Sequence, residues 1–185
     1  DLHDSLGGML TTVKLNLEDF ANRNEKSDLF NIITQLNNSV TALRRIAHNM
    51  MPEMLLKLGL EAALKDLVRL LTTTRLHIDF QCLGIKDTIR VEEQITIYRI
   101  IQELLTNIVK HAEAENVLLQ CAQHDEVFFI TIEDDGKGFD TNRLTQMPGA
   151  GLSNIKNRVA YLQGNIELLS HEQQGTSINI ELNVT

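Results

Sequence analysis

The chain has 185 residues, 43% of them hydrophobic, and a formal net charge of −8. That length builds one or two ordinary cores. The acidic balance, with no basic stripe, argues against a nucleic-acid partner but leaves room for a single nucleotide, whose site needs only local donors. No apolar run reaches 18 residues, so no direct membrane contact is expected here.

The first predicted element is a helical hairpin. His3, Leu6, Leu10, Val13, Leu17 and Phe20 step 3-4-3-4-3, and Leu29, Ile33, Leu36, Val40, Leu43, Ala47 and Met50 step 4-3-4-3-4-3. These are heptad seams, narrower than the stripe of a lone globular helix. The polar stretch from Asn22 to Asp28 joins them, and Pro52 stops the second. Two such helices make no core alone, so pairing of two hairpins into a four-helix bundle, and hence a homodimer, is expected. His3 opens the seam with Asp4 beside it; taken alone, it is either a frayed end residue or a site. The chain starts at Asp1 in helical-looking sequence, which suggests a piece of something longer.

The second half reads as an α/β unit. Leu58-Gly59-Leu60 leads into an apolar helix to about Leu71. Leu76, Ile78, Phe80 and Cys82 alternate with His77, Asp79 and Gln81, as in a half-buried strand. A long helix runs from about Glu92 to Ala112. Strands follow near 116–123 and 127–134, with His124-Asp125-Glu126 as the turn. Leu152, Ile155, Val159 and Leu162 mark a helix ended by Gly164. Two closing strands, one carrying Ile166 and Leu168 and one from Ile178 to Val184, meet at Gln173-Gln174-Gly175. Helices grouped with largely antiparallel strands suggest an α+β two-layer sandwich. Cys82 and Cys121 have no partner at metal-ligand spacing and read as buried free thiols.

Candidate chemistry gathers in this half. On the long helix Glu103, Asn107, Lys110 and His111 share one face, with Leu104, Leu105, Ile108 and Val109 on the other. Asp134-Asp135-Gly136-Lys137-Gly138 leaves a strand, and Gly149-Ala150-Gly151-Leu152 enters a helix. Glycines at a helix start let backbone N–H groups approach a phosphate, and a strand-end carboxylate can accept from an exocyclic amine. Each turn by itself is more often plain structure.

The order Glu103-x-x-x-Asn107, Asp134-x-Gly136-x-Gly138, Gly149-x-Gly151-Leu152 and Gly175-Thr176 resembles the N, G1 and G2 boxes and closing Gly-Thr of the GHKL ATPase superfamily. With His3-Asp4-Ser5-Leu6-Gly7 upstream, the whole chain is similar to a sensor histidine kinase core, and most to the subgroup of nitrate-sensing and membrane-thermosensor kinases. The resemblance implies a Bergerat-type ATP-binding sandwich over residues 55–185, behind a dimerisation and phosphotransfer hairpin over 1–54.

It also implies roles. Asn107 would ligate Mg²⁺ through its amide oxygen. Asp134 would accept from the adenine amine, with Thr176 in support. Gly136, Gly138, Gly149 and Gly151, with Leu152, would let the nucleotide approach the backbone. Lys110 and His111 would lie near the phosphates, and residues 140–148 would form a lid. Glu103 matches a general base of hydrolytic relatives. ATP would phosphorylate His3, with Asp4 orienting the ring, and the phosphoryl group would pass to an aspartate of a response-regulator receiver. The core is expected in the cytoplasm, where ATP is, with any membrane attachment upstream.

One departure concerns Gly8, where the subgroup commonly has glutamine or histidine to position water, so weak regulator phosphatase activity is expected. Two other readings compete: a non-catalytic ATP-binding dimer, and a GHKL serine kinase of the anti-sigma type, which would need neither His3-Asp4 nor the heptad hairpin.

Overall fold

The computed structural model describes residues 15, 17, 53–86, 88–140 and 150–185. The chain divides into two compact units, Asp1–Pro52 and Glu53–Thr185. In the first, Leu15 and Leu17 are described, both helical and exposed. The predicted hairpin and the bundle it would build lie outside the described residues.

The second unit begins with α1 (Glu53–Leu71). Leu60, Ala63, Leu64, Leu67 and Val68 recur every three or four residues and are buried, while Glu61 and Lys65 pair on the outer face at 2.6 Å. This helix starts earlier than expected and is broken at Gly59, whose φ of 81° and ψ of 178° suit a residue without Cβ. Strand β1 (His77–Leu83) then runs parallel to β2 (Asn116–His124). A parallel pair needs a long crossover, and α2 (Val91–Asn107) provides it. The rest of the sheet is antiparallel: β3 (Val127–Asp134) pairs with β2 and with β5 (Thr176–Asn183), and β4 (Asn165–Ser170) pairs with β5 at the edge. Helix α3 (Ala150–Tyr161) lies between β3 and β4 in sequence. The sheet order is β1-β2-β3-β5-β4, and the mixed α+β class expected from sequence is the one observed.

Strand alternation decides which face is covered. Leu119, Ile132 and Ile178 form one row across β2, β3 and β5, and Cys121, Ile130 and Ile180 the next; all six are buried. The row between them is polar: Gln120 donates to Gln81 at 2.7 Å, and Thr131 to Asn179 at 2.8 Å. One apolar face against helices and one polar face is the pattern of a half-covered sheet. Helix α2 is the axis of the helical layer, packing against α1 and α3. Its Ile97, Tyr98, Ile100, Ile101 and Leu105 are fully buried, each aliphatic one stabilising by about 1.5–3 kcal/mol on area grounds.

Two polar groups inside this layer are satisfied. The Gln94 amide donates to the Ile89 carbonyl at 2.7 Å. Glu93 Oε1 accepts from Arg90 and from the Thr185 hydroxyl at 3.0 Å, and Oε2 from the Thr185 N–H at 3.1 Å. Burial pushes the Glu93 carboxyl up, but the bonds from Arg90 and Thr185 outweigh it and hold the group below its ordinary range. At the end of α3 the left-handed residue is Gln163, φ 48°, rather than Gly164. A Cβ at Gly164 would stand 2.1 Å from the Glu181 carbonyl oxygen, so close chain crossing requires the glycine.

Candidate nucleotide site

The apolar face of the sheet turns polar in its last row. Asp134 of β3 is the register partner of Thr176 of β5, which is in turn the partner of Ser170 of β4. Above that row opens a cavity of about 550 Å³. The end of α2, its continuation, the turn after β3 and the start of α3 enclose it, with Ile132, Leu168 and Ile178 as apolar lining. A mostly apolar cleft with a few convergent polar groups is the usual form of a small-molecule site.

Glu103 and Asn107 reach the cavity from the last turn of α2. Beyond Asn107 the helix widens into a π turn over Ile108–Ala112, which ends at Glu113 with φ 57°. Lys110 and His111 sit on that turn and also line the cavity. A regular helix to Ala112 was expected. The wider turn, of a kind frequent at functional sites, goes with docking of the Ala112 carbonyl, which accepts the Lys137 N–H at 2.8 Å. Val109, expected on the apolar face with Leu104, Leu105 and Ile108, is 40% exposed.

The motif order singles out Asp134, and the structure gives its neighbour Asp135 a different role. Asp135 points away from the cavity and pins β3 to β2. Its carboxylate accepts the Glu115 and Asn116 N–H groups at 2.8 and 2.9 Å and the Asn116 side-chain amide at 2.8 Å. Those bonds, the Asn116 N–H first, hold its carboxyl below the ordinary range. Asp134 lines the cavity. Burial raises its carboxyl, while the Gly136 N–H, at 2.9 Å, and the Thr176 hydroxyl pull the other way.

The glycines divide as well. A Cβ on Gly136 would lie 2.3 Å from the Ala112 carbonyl oxygen, and one on Gly138, where φ is 55°, 2.0 Å from that of His171. Both are therefore required by chain crossings, whatever binds nearby. Gly138 lines the cavity and Gly136 does not. Gly151 and Leu152, from the first turn of α3, line it too. His3, Asp4, Gly8 and Gly149, with nearly all of the expected lid, lie outside the described residues.

Sequence reasoning missed Phe139, which lines the cavity, and Ser170, whose hydroxyl accepts the Phe139 N–H at 3.0 Å. Ser170 had a readable signal: it shares strand parity with Ile166 and Leu168 and is 4% exposed. Among the described residues no cluster of three or more His, Cys, Asp or Glu could hold a metal ion, and no helix is long and apolar enough to cross a membrane.

Residues 92–185 match the family model for the histidine kinase-, DNA gyrase B- and HSP90-like ATPases. The chain is 32% identical over 194 residues to the sensor histidine kinase ComP of Bacillus subtilis, covering 98% of this chain and 25% of that protein. It is also 32% identical over 192 residues to the histidine-protein kinase/phosphatase UhpB of Salmonella typhimurium, covering 98% and 37%. Among solved structures, the histidine kinase domain of the Erythrobacter litoralis EL346 blue-light activated kinase superposes with a TM-score of 0.57 at 15% identity, over 97% of this chain and 85% of that one. The chain thus spans between a quarter and two fifths of these two curated relatives. It belongs to the histidine kinase-, DNA gyrase B- and HSP90-like ATPase family and is homologous to the sensor histidine kinases of two-component systems.

Proposed function

We propose that the chain is the kinase core of a two-component sensor, of the subgroup that holds the nitrate-sensing and membrane-thermosensor kinases. Residues 1–54 are its dimerisation and phosphotransfer hairpin, and 55–185 its ATP-binding domain. The observation that carries the reading is the cavity itself, which gathers Glu103, Asn107, Lys110, His111, Asp134 and Thr176 from three separated stretches of chain.

In this reading Asp134 and Thr176 take the adenine, with the carboxylate accepting from the exocyclic amine. Lys110 and His111, both exposed at the rim, meet the phosphates, along with the start of α3 at Gly151 and Leu152. Asn107 offers one amide oxygen with no acidic cage around it, which fits a hard cation that keeps its waters and takes its other ligands from phosphates. Mg²⁺ bound there supplies charge neutralisation on the transferring phosphoryl group. Glu103, one turn before Asn107, orders water or the metal's shell.

His3 is the acceptor. Its neutral imidazole, with an ordinary pKa of about 6.5, is a competent nucleophile near neutrality. Asp4 orients the ring and takes the proton that the attacking ring must lose, a role worth about 10²–10⁴-fold in rate. The phosphoryl group then passes to an aspartate of a response-regulator receiver. The core acts as a homodimer through the hairpin, in the cytoplasm. Calorimetric titration with ATP tests the nucleotide assignment: Asn107→Ala should abolish the tighter binding that Mg²⁺ confers on the wild type. Equal Mg²⁺ dependence in both proteins would overturn the role of Asn107.

A further inference from the structure

The polar row that closes the sheet contains a hydroxyl with no part in the roles set out above. Ser170 ends β4, faces the core and is 4% exposed. Its Oγ accepts the Phe139 N–H at 3.0 Å, donates to the Gly175 carbonyl at 3.0 Å, and lies 3.0 Å from the Thr176 Oγ1. Thr176 in turn is the register partner of Asp134, whose carboxyl its hydroxyl helps to hold down.

A carbonyl oxygen only accepts, so Ser170 is the donor toward Gly175, while its lone pair takes the Phe139 N–H. In the contact between Ser170 and Thr176 either hydroxyl can be the donor. One buried hydroxyl thus ties the Phe139 backbone to the Gly175–Thr176 turn, next to the register position of Asp134.

We propose that Ser170 is a positioning residue for base recognition, its hydroxyl tying the Phe139 backbone to the Gly175–Thr176 turn and so seating Thr176 beside the Asp134 carboxylate that accepts from the exocyclic amine of adenine. The inference rests on the reading of the cavity as an ATP site. It places a determinant of base selectivity on an edge strand that contributes Leu168, but not Ser170, to the cavity wall.

The test compares two nucleotides that differ only at the amine, ATP and purine riboside triphosphate, on the whole chain. Wild type should bind ATP more tightly. Ser170→Ala should weaken ATP by about three- to tenfold, the worth of one net hydrogen bond, and leave the analogue within about twofold. Ser170→Cys, near-isosteric but a poor hydrogen-bonding group, should behave alike and decides the matter if the alanine variant folds badly. Ser170→Thr, which keeps the hydroxyl, should restore the preference. Equal weakening of both nucleotides would mean a merely structural serine and overturn the proposal. Full discrimination kept by both Ser170→Ala and Ser170→Cys would overturn it too, with Asp134 recognition intact. A wild type indifferent to the amine would instead remove the Asp134 assignment on which the proposal stands.

Discussion

Gly151 at the start of α3 faces Glu103 on α2 so closely that a Cβ built on the glycine would stand 2.6 Å from Glu103 Oε1, and 3.4 and 3.5 Å from the Asn107 amide atoms. The two helices that frame the cavity therefore meet through a residue with no side chain. Gly151→Ala meets the flexible end of a glutamate, so the fold should survive while Glu103 and Asn107 are pushed off position. ATP affinity should fall roughly tenfold, about 1.4 kcal/mol, with the unfolding midpoint little changed. Gly138→Ala is the contrast. Its Cβ would meet backbone oxygens at 2.0 and 2.7 Å, and it should lose about 2 kcal/mol or more of stability. Thermal unfolding beside ATP titration separates the two.

The neighbouring aspartates should dissociate cleanly. Asp134→Asn keeps the shape but turns half of an acceptor into a donor, so the preference for ATP over GTP should shrink by about 10-fold or more. Asp135→Ala should leave base preference alone and destabilise the fold by about 1 kcal/mol, because the Glu115 and Asn116 N–H groups lose their acceptor. Nucleotide competition and urea unfolding on both variants check this pair.

Acid should weaken the fold through Glu93 and Asp135. Both carboxyls lie below their ordinary range when folded, so the folded state binds fewer protons than the unfolded chain. Their stabilisation is complete above the unfolded carboxylate pKa and is lost as pH falls through the lower folded values. Asp134 has the opposite sign: burial raises it, and its protonation on acidification favours the fold slightly while removing the acceptor proposed for adenine. Stability of Glu93→Gln should accordingly fall less steeply with acid than wild type in unfolding midpoints measured across the carboxylate range. An unchanged slope would contradict the assignment.

The two thiols should be slow to react in the folded protein. Cys82 and Cys121 are register partners across β1 and β2. Burial pushes the Cys82 thiol up to about 11 and raises Cys121 further, which leaves little thiolate at neutral pH. Alkylation by iodoacetamide should be slow in buffer and fast in denaturant.

Gly8 bears on the proposed exchange with a response regulator. Glycine offers no side chain to orient water and costs a helix up to about 1 kcal/mol relative to alanine. Loss of phosphate from a purified phospho-regulator should therefore be little accelerated by this core. Rapid, Asp4-dependent loss would contradict that.

Much of this was legible from pattern alone. Apolar alternation from Val127 to Asp134 gives β3 with its observed ends, since a half-covered face imposes period two. The four polar residues of α2 and its π turn do converge on one cavity. What escaped was set by long-range contacts. The π turn at Ile108–Ala112 accompanies the Lys137 bond to Ala112, made by a chain segment 25 residues later. The glycine at 164 answers to Glu181 on another strand. The pinning role of Asp135 depends on where β2 begins, which no local spacing gives. Ser170 was readable in principle as a polar residue at core parity, but its partners, Phe139 and Thr176, come from segments that only the sheet brings together.

The most direct test of kinase chemistry is incubation of the chain with γ-labelled Mg·ATP, with His3→Gln alongside and acid and base treatment of the product. The account predicts label that is acid-labile, base-stable and absent from the His3→Gln variant. ATP binding without such label, in this chain and in one extended upstream of Asp1, would contradict it and leave a non-catalytic ATP-binding dimer.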